Sequence, residues 1–260
     1  MEAGDRSEGA GGASGSQTLL RGLDVIDAVL SGALPLAELS ERLGLTRSTT
    51  HRLASALVDR RLLSYRPREG YGLGPKLIAL GHAAGLQMPL PRVARPWMEQ
   101  LSLETRDTIH LGVMDGRHAL YLDKIDGQRR VSIGSRLGER QPLTSTALGK
   151  ALLLDLAEPR LREIHFANPK TSPDALEGWL GRMKTYAAGG YALDLEENED
   201  QVRCVAAPIR AVDGKILAAI SVSPAAQYMD DARMMALAPL VIRTAQTISA
   251  DLGWAAGPKE

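Results

Sequence analysis

Residues 35–73, PLAELSERLGLTRSTTHRLASALVDRRLLSYRPREGYGL, decide how the whole chain is read. Leu36, Leu39 and Leu43 recur at three- and four-residue spacing, one apolar face of a short helix. Pro35 suits the first turn of that helix, where a missing N–H costs nothing. Gly44 can take the left-handed conformation that ends it, and the Thr46 hydroxyl can cap the next helix. In that second helix Leu53 and Leu57 point inward, while Arg47, Ser48, His51 and Arg52 share the opposite face. Short hydroxyls and arginines at a helix start match the base edges of a DNA major groove. Leu62, Leu63 and Tyr65 then read as one strand, and Tyr71 with Leu73 as its partner. Residues 66–70 form the turn between them and carry two arginines. From Arg47 to Arg68 there are six arginines against one acid, Asp59, the local positive excess that a phosphate backbone requires. The stretch predicts a winged helix-turn-helix. Thr46, Arg47, Ser48, Thr49, Thr50 and Arg52 would enter the groove, and Arg66 and Arg68 would grip flanking phosphates.

The rest of the chain is ordinary in composition: 44% hydrophobic, 24% charged, with 31 basic and 31 acidic side chains. That balance argues against polyanion binding along the whole chain, and 260 residues suggest two domains. No run of about 18 apolar residues marks a membrane span. The first residues, MEAGDRSEGAGGASGSQ, lack the basic start and apolar centre of a signal peptide, and residues 1–16 read as a disordered tail. A single cysteine fits a reducing cytoplasm. Neither structural-zinc spacing nor GxxxxGK[ST], GxSxG or HExxH occurs, so no metal, cofactor or common hydrolase chemistry is expected.

The domains are expected at 17–74 (winged helix), 75–90 (linker helix) and 91–256 (effector-binding domain). Leu19, Leu23, Ile26 and Leu30 form the stripe of a first helix packed on the two already described. Lys76–Gln87 is a linker helix whose small-residue side, with Leu77 and Leu80, either pairs two chains or packs on its own domain; Pro89 and Pro91 close it. Beyond it the pattern turns α+β. A helix at 93–104 precedes strands at 108–114, 119–125 and 131–135. Helices follow at 145–156, 158–166 and 173–188, then strands at 191–195, 202–211 and 215–223 and a closing helix at 231–252. This order implies an antiparallel sheet with helices against it, an architecture suited to sensing small molecules.

The segment CVAAPIRAVDGKILAAISVS reads as a hairpin across Asp213–Gly214. Pairing Val212 with Lys215 sets Cys204 opposite Ser223 and Ala206 opposite Ser221, so Cys204, Ser221 and Ser223 share one face. Serines on a strand are commonly just its wet face and a lone cysteine a small buried hydrophobe. The second candidate wall is PLTSTALGKALL, where Ser145 or Thr146 caps a helix and leaves its first amides free for a carboxylate.

Together LTRSTTHRLASALVDRRLLSY with YGLGPKLIALG, RQPLTSTALGKALL, and GYALDLEENEDQVRCVAAPIRAVDGKILAAISVS resemble the IclR family of bacterial transcriptional regulators, over about residues 17–254. The resemblance implies an N-terminal winged helix, a linker helix and a C-terminal GAF-like effector domain. It also implies homodimers, often paired into tetramers, on pseudo-palindromic double-stranded operators, with a small carboxylate as effector. The family's ligand contacts correspond here to Asp194, Cys204, Ser221 and Ser223, with backbone amides around Ala147 and Leu148. The chain has Gln201 or Val202 where the family often has Gly. Within the family, DTIHLGVMDGRHALYLDKID and SRLGERQPLTSTALGK look most like regulators of sugar-acid catabolism of the 2-keto-3-deoxygluconate type. Aromatic acids are the runner-up, although Phe166 is the single Phe.

The competing class is an enzyme acting on a small keto acid through Cys204 as nucleophile. It needs a base in reach and a lowered thiol pKa, and the sequence places none of His51, His82, His110, His118 and His165 beside Cys204. A ligand-free architectural DNA binder is weaker, because it leaves the second domain without a role. The preferred expectation is a ligand-responsive DNA-binding regulator, a repressor and not an enzyme, of a small-acid or sugar-acid catabolic operon.

Overall fold

A computed structural model describes residues 11–87 and 89–254 of the chain. Its packing divides the chain into two compact units, Met1–Gln87 and Met88–Glu260.

In the first unit α1 (Gly11–Ala28), α2 (Leu36–Leu43) and α3 (Arg47–Asp59) precede a hairpin of β1 (Leu63–Arg66) and β2 (Gly70–Leu73), then α4 (Lys76–Gln87). The α2–α3 turn follows from its residues. Gly44 sits in the left-handed region at φ 62°, and Thr46 caps α3 by accepting from the Thr49 amide at 3.3 Å. Leu39, Leu53, Ala54, Leu63 and Tyr71 bury together with Val25 and Val29. A bridge from Leu34 to Tyr71 ties the chain before α2 to the wing. Pro35 stands at the cap position rather than inside the first turn, its carbonyl accepting from Leu39 N.

The α1 stripe departs from expectation. Leu19, Leu23 and Leu30 are 66%, 49% and 59% exposed, while Ile26 packs against the core as expected, beside Val25 and Val29. Two apolar rows lie on this helix, and the row that packs with α2 and α3 is the one through Val25 and Val29. Residues 11–16, assigned to the tail from sequence, are helical; extending an existing helix gains a bond for each residue fixed. The remainder of that expected tail, residues 1–10, lies outside the described residues.

The second unit runs α5 (Pro89–Thr105), β3 (Thr108–Asp115), β4 (His118–Ile125), β5 (Arg140–Pro142), α6 (Ala147–Leu152), α7 (Glu158–Ala167), α8 (Leu176–Gly189), β6 (Ala192–Leu195), β7 (Arg203–Arg210), β8 (Ile216–Ser223) and α9 (Asp231–Asp251). The strands make a six-stranded sheet in the order β5-β4-β3-β8-β7-β6, every neighbouring pair antiparallel. On one face Ile109, Leu111, Val205, Ile209, Ile220 and Val222 pack with residues of α5 and α9. On the other, Ala119, Ala206 and Ala219 meet α6 and the α8 residues Trp179, Leu180 and Met183. This is the α+β class expected. No described helix is long and apolar enough to cross a membrane.

Two elements differ from the sequence reading. Pro89 and Pro91 open α5 instead of ending the preceding helix, because the first turn of a helix needs no proline N–H. Residues 131–135 form no strand; the edge strand is β5. There the Lys124 ammonium takes the carbonyls of Ile133 and Ser135 at 2.8 and 3.0 Å, so a side chain satisfies acceptors that a strand would have offered to a neighbour.

Candidate functional site

On the first unit Arg47, Ser48, His51 and Arg52 are exposed along α3, and Arg66 and Arg68 on the wing. Among the described residues Arg47, Arg52 and Arg68 take part in no ion pair. Arg66 is bound to Glu69 at 3.1 Å, but both side chains are largely in water, where such a pair contributes about 0–1 kcal/mol and yields readily to a phosphate. Arg68 adopts φ 80° at the wing tip, a left-handed conformation that directs the chain into Gly70. Thr50 must be removed from the groove-facing set. It is fully buried and its hydroxyl donates to the Thr46 carbonyl at 3.1 Å, because it lies three and four residues before the core residues Leu53 and Ala54. Thr46 bonds both Thr49 at 3.0 Å and Ser48 at 3.2 Å, so the hydroxyls at the start of α3 bond one another while the arginines and His51 face outward beside them.

In the second unit one cavity is lined by Ala147, Leu148, Asp194, Cys204, Ser221 and Ser223, the six residues named from sequence. The sheet register explains the grouping. Ala206 pairs with Ser221 and Asp194 with Cys204, which sets the four side chains in adjacent rows on the α6 side of the sheet. The register matches the one derived across Asp213–Gly214, although the turn does not. Ala211 N donates to Lys215 O, Arg210 pairs with Ile216, and Leu217 is the extra residue of a bulge that restores the pairing by Ile209 and Ala218. The cap of α6 is Thr146, which accepts from Gly149 N at 3.0 Å, so the amides of Ala147 and Leu148 are those left over at the helix start. Gly149 permits this seat: a Cβ there would lie 2.6 Å from Leu143 Cα and 2.7 Å from Pro142 O. The Ser145 hydroxyl instead donates to Asn198 Oδ1 at 2.9 Å at the cavity edge.

Comparison with known proteins places this architecture. Residues 82–250 match the profile described as "Bacterial transcriptional regulator IclR C-terminal", and residues 18–67 match the "IclR helix-turn-helix domain". The chain belongs to the IclR family of transcriptional regulators. It is 33% identical to the HTH-type transcriptional regulator XynR of Escherichia coli K12, over 92% of this chain and 98% of that protein. It is 32% identical to the HTH-type transcriptional regulator KdgR of the same organism, over 84% and 86% respectively. The crystal structure of Thermotoga maritima IclR superposes with a TM-score of 0.74 at 26% identity, covering 92% of this chain and 100% of that one. An IclR homologue from Microbacterium hydrocarbonoxydans complexed with 4-hydroxybenzoate shares the fold, with a TM-score of 0.77 at 24% identity over 90% and 98% of the two chains. This IclR-family chain is thus a DNA-binding transcriptional regulator, and its relatives are not enzymes.

The chemistry of Cys204 agrees. Burial pushes its thiol well above the usual range and the nearby Asp194 charge adds to this, the reverse of an activated nucleophile. The sequence could place no histidine beside Cys204; the fold brings His110 to the same cavity. It offers no base to the thiol, since its Nδ1 lies 3.3 Å from Ser223 Oγ and its Nε2 2.6 Å from Ser135 Oγ. Burial, then the Lys124 charge, lowers the imidazole pKa to about 3, so the ring is neutral. Asp194 is pushed up to about 6 by burial, an effect that Lys150 and the Glu197 amide partly oppose. Tyr121 completes the wall, stacked on His110 with ring centroids 4.6 Å apart.

His110, Tyr121, Ser135 and Gln141 were not read as site residues from sequence. His110 pairs with Ser221 because β3 lies beside β8, a pairing between strands more than a hundred residues apart. A strand puts alternate residues on opposite faces, but only that pairing decides which face His110 takes.

Proposed function

We propose that this IclR-family chain is a cytoplasmic repressor of a small organic acid or sugar-acid catabolic operon, released or retained on DNA by an acid bound in the second unit's cavity. The observation that carries this reading is the convergence of Asp194, Cys204, Ser221 and Ser223 with the free α6 amides on one cavity, in a chain whose other unit is a winged helix-turn-helix. The amides of Ala147 and Leu148 suit a carboxylate, while the serines, Gln141 and Asn198 suit oxygens further along the ligand. Asp194 repels a carboxylate but accepts from hydroxyls. A hydroxylated keto acid, of the 2-keto-3-deoxygluconate type, fits that distribution best.

On DNA, Arg47, Ser48 and Arg52 read the major groove with support from Thr46 and Thr49, and Arg66 and Arg68 hold phosphates of a pseudo-palindromic operator. The chain acts as a homodimer or a dimer of dimers. Leu19 and Leu23 on α1 and Ile78 and Leu80 on α4 are apolar and exposed, Ile78 at 78%, which supports a second copy as their cover. The aromatic-acid alternative is favoured by the Tyr121–His110 stack in the cavity and by the neighbour complexed with 4-hydroxybenzoate. Calorimetry decides between them. 2-Keto-3-deoxygluconate is expected to bind the wild type and to lose binding in the Ser221→Ala/Ser223→Ala double variant. Binding of benzoate-type acids alone gives the case to the alternative, and unchanged binding by the double variant puts the ligand elsewhere.

A further inference from the structure

The cavity is nearly filled by the protein itself. About 30 Å³ of free volume remains, room for a water or two, whereas ligand pockets commonly reach ~300 Å³ or more. Part of the filling comes from the loop between β4 and β5, through Ile133 and Ser135. This loop is fastened at both ends. Arg129 Nε donates to the fully buried Asp107 at 2.9 Å, and Gln128 N to Arg106 O at 2.9 Å. At the far end Gly138 N donates to Tyr121 O at 2.8 Å. Between these anchors Lys124 Nζ holds the carbonyls of Ile133 and Ser135, and the Ser135 hydroxyl reaches down to His110 Nε2 at 2.6 Å. His110 Nδ1 meets Ser223 at 3.3 Å, and Ser223 meets Ser221 at 3.2 Å. A chain of hydroxyl, imidazole, hydroxyl and hydroxyl thus runs from the loop to the cavity floor.

We propose that Ser135 occupies the place of an effector hydroxyl, and that binding exchanges it for a hydroxyl of the effector on His110 Nε2, releasing the Ser135 side chain from the floor. The proposal rests on reading the cavity as the effector pocket, and it makes His110 the specificity-determining residue. A neutral imidazole has one donor and one acceptor nitrogen. A hydroxyl both donates and accepts, so it can replace Ser135 whichever tautomer is present. A keto oxygen only accepts and fits one tautomer; an apolar group fits neither and leaves a buried ring nitrogen unpaired. The cavity therefore selects acids that carry a hydroxyl away from the carboxylate, over their deoxy and purely apolar counterparts.

Cys204 gives a direct readout, being the single cysteine of the chain, on the same cavity and 8% exposed. Its labelling by N-ethylmaleimide is followed by mass spectrometry alongside the unfolding midpoint. Ser135→Ala is expected to speed labelling about fivefold, the equilibrium effect of one net hydrogen bond, with the midpoint lowered by no more than that one bond contributes. The same variant binds 2-keto-3-deoxygluconate more tightly by a similar factor, and His110→Leu loses the preference for that acid over pyruvate, which has no hydroxyl. Equal labelling of wild type and Ser135→Ala overturns the proposal. Faster labelling with unchanged acid affinity in Ser135→Ala, while Ser221→Ala/Ser223→Ala abolishes binding, overturns the exchange and leaves the effector pocket standing. Failure of both acids to slow labelling in every variant overturns the pocket and the exchange together.

Discussion

Replacing Glu197 by Gln is expected to cost far more stability than replacing its partner Lys150 by Met. Lys150 lies fully buried in α6, its ammonium ion-paired with Glu197, which is also held by Arg182 at 3.0 Å. Burial pushes the ammonium down and Glu197 pulls it back up. Glu197→Gln leaves the buried charge without its neighbouring carboxylate, a break that costs about 3–5 kcal/mol. The lysine can escape by losing its proton. An unfolded lysine titrates near about 10.4, so keeping it neutral in the fold costs about 4.6 kcal/mol at pH 7 and about 1.9 kcal/mol at pH 9. The unfolded state then binds the extra proton, so the stability of Glu197→Gln rises with pH over that window. Lys150→Met removes the desolvated charge along with the pair, and the partly exposed Glu197 keeps Arg182; the expected loss is below about 1 kcal/mol. Urea unfolding at pH 7 and pH 9, with the double variant to close the cycle, measures all three. Equal losses for the two single variants, or a pH-independent loss for Glu197→Gln, would refute the reasoning.

Asp194 makes a second pH prediction. Its native carboxyl holds a proton up to about pH 6 against an ordinary value of 3.8, so this group's contribution to stability is lost as pH rises from about 4 to 6, by roughly 3 kcal/mol. Asp194→Asn should erase that slope in unfolding measured across the window; a slope that persists assigns it to another group. Arg66→Ala and Arg68→Ala should each weaken binding to a fragment from upstream of the regulated operon and flatten its salt dependence by about one unit of log–log slope for each phosphate no longer held. An unaltered slope would take these residues off the backbone and out of the interface. Leu19→Gln with Leu23→Gln should leave the unfolding midpoint nearly unchanged, since both side chains are exposed, yet shift sedimentation towards the monomer; an unchanged mass would place the dimer interface elsewhere.

The winged helix was legible because its signals are local. Gly44, Thr46, the leucine spacing and the arginine-bearing turn act within a few residues of one another. The hairpin register was legible for the same reason, and it survived a wrong turn because the Leu217 bulge compensates. What escaped depended mostly on distant chain, Thr50 excepted. Thr50 reads as a groove hydroxyl until its spacing to Leu53 and Ala54 turns it inward. The exposed leucines of α1 recur as regularly as Val25 and Val29, and only packing with α2 and α3 decides which row is covered. Residues 131–135 alternate like a strand, but Lys124 claims the carbonyls of Ile133 and Ser135. His110 joined the site through the β3–β8 pairing, which no short-range pattern encodes.

The central claim, that an acid in this cavity changes the grip on DNA, is tested most directly by operator affinity with and without saturating 2-keto-3-deoxygluconate. Fluorescence anisotropy at fixed salt on the wild type and on Ser221→Ala/Ser223→Ala is sufficient. The wild-type dissociation constant should change by roughly 5- to 150-fold, the usual range of allosteric coupling, and that of the double variant should not move. Operator affinity unchanged by an acid that calorimetry shows to be bound, or a full response in the double variant, would contradict the account.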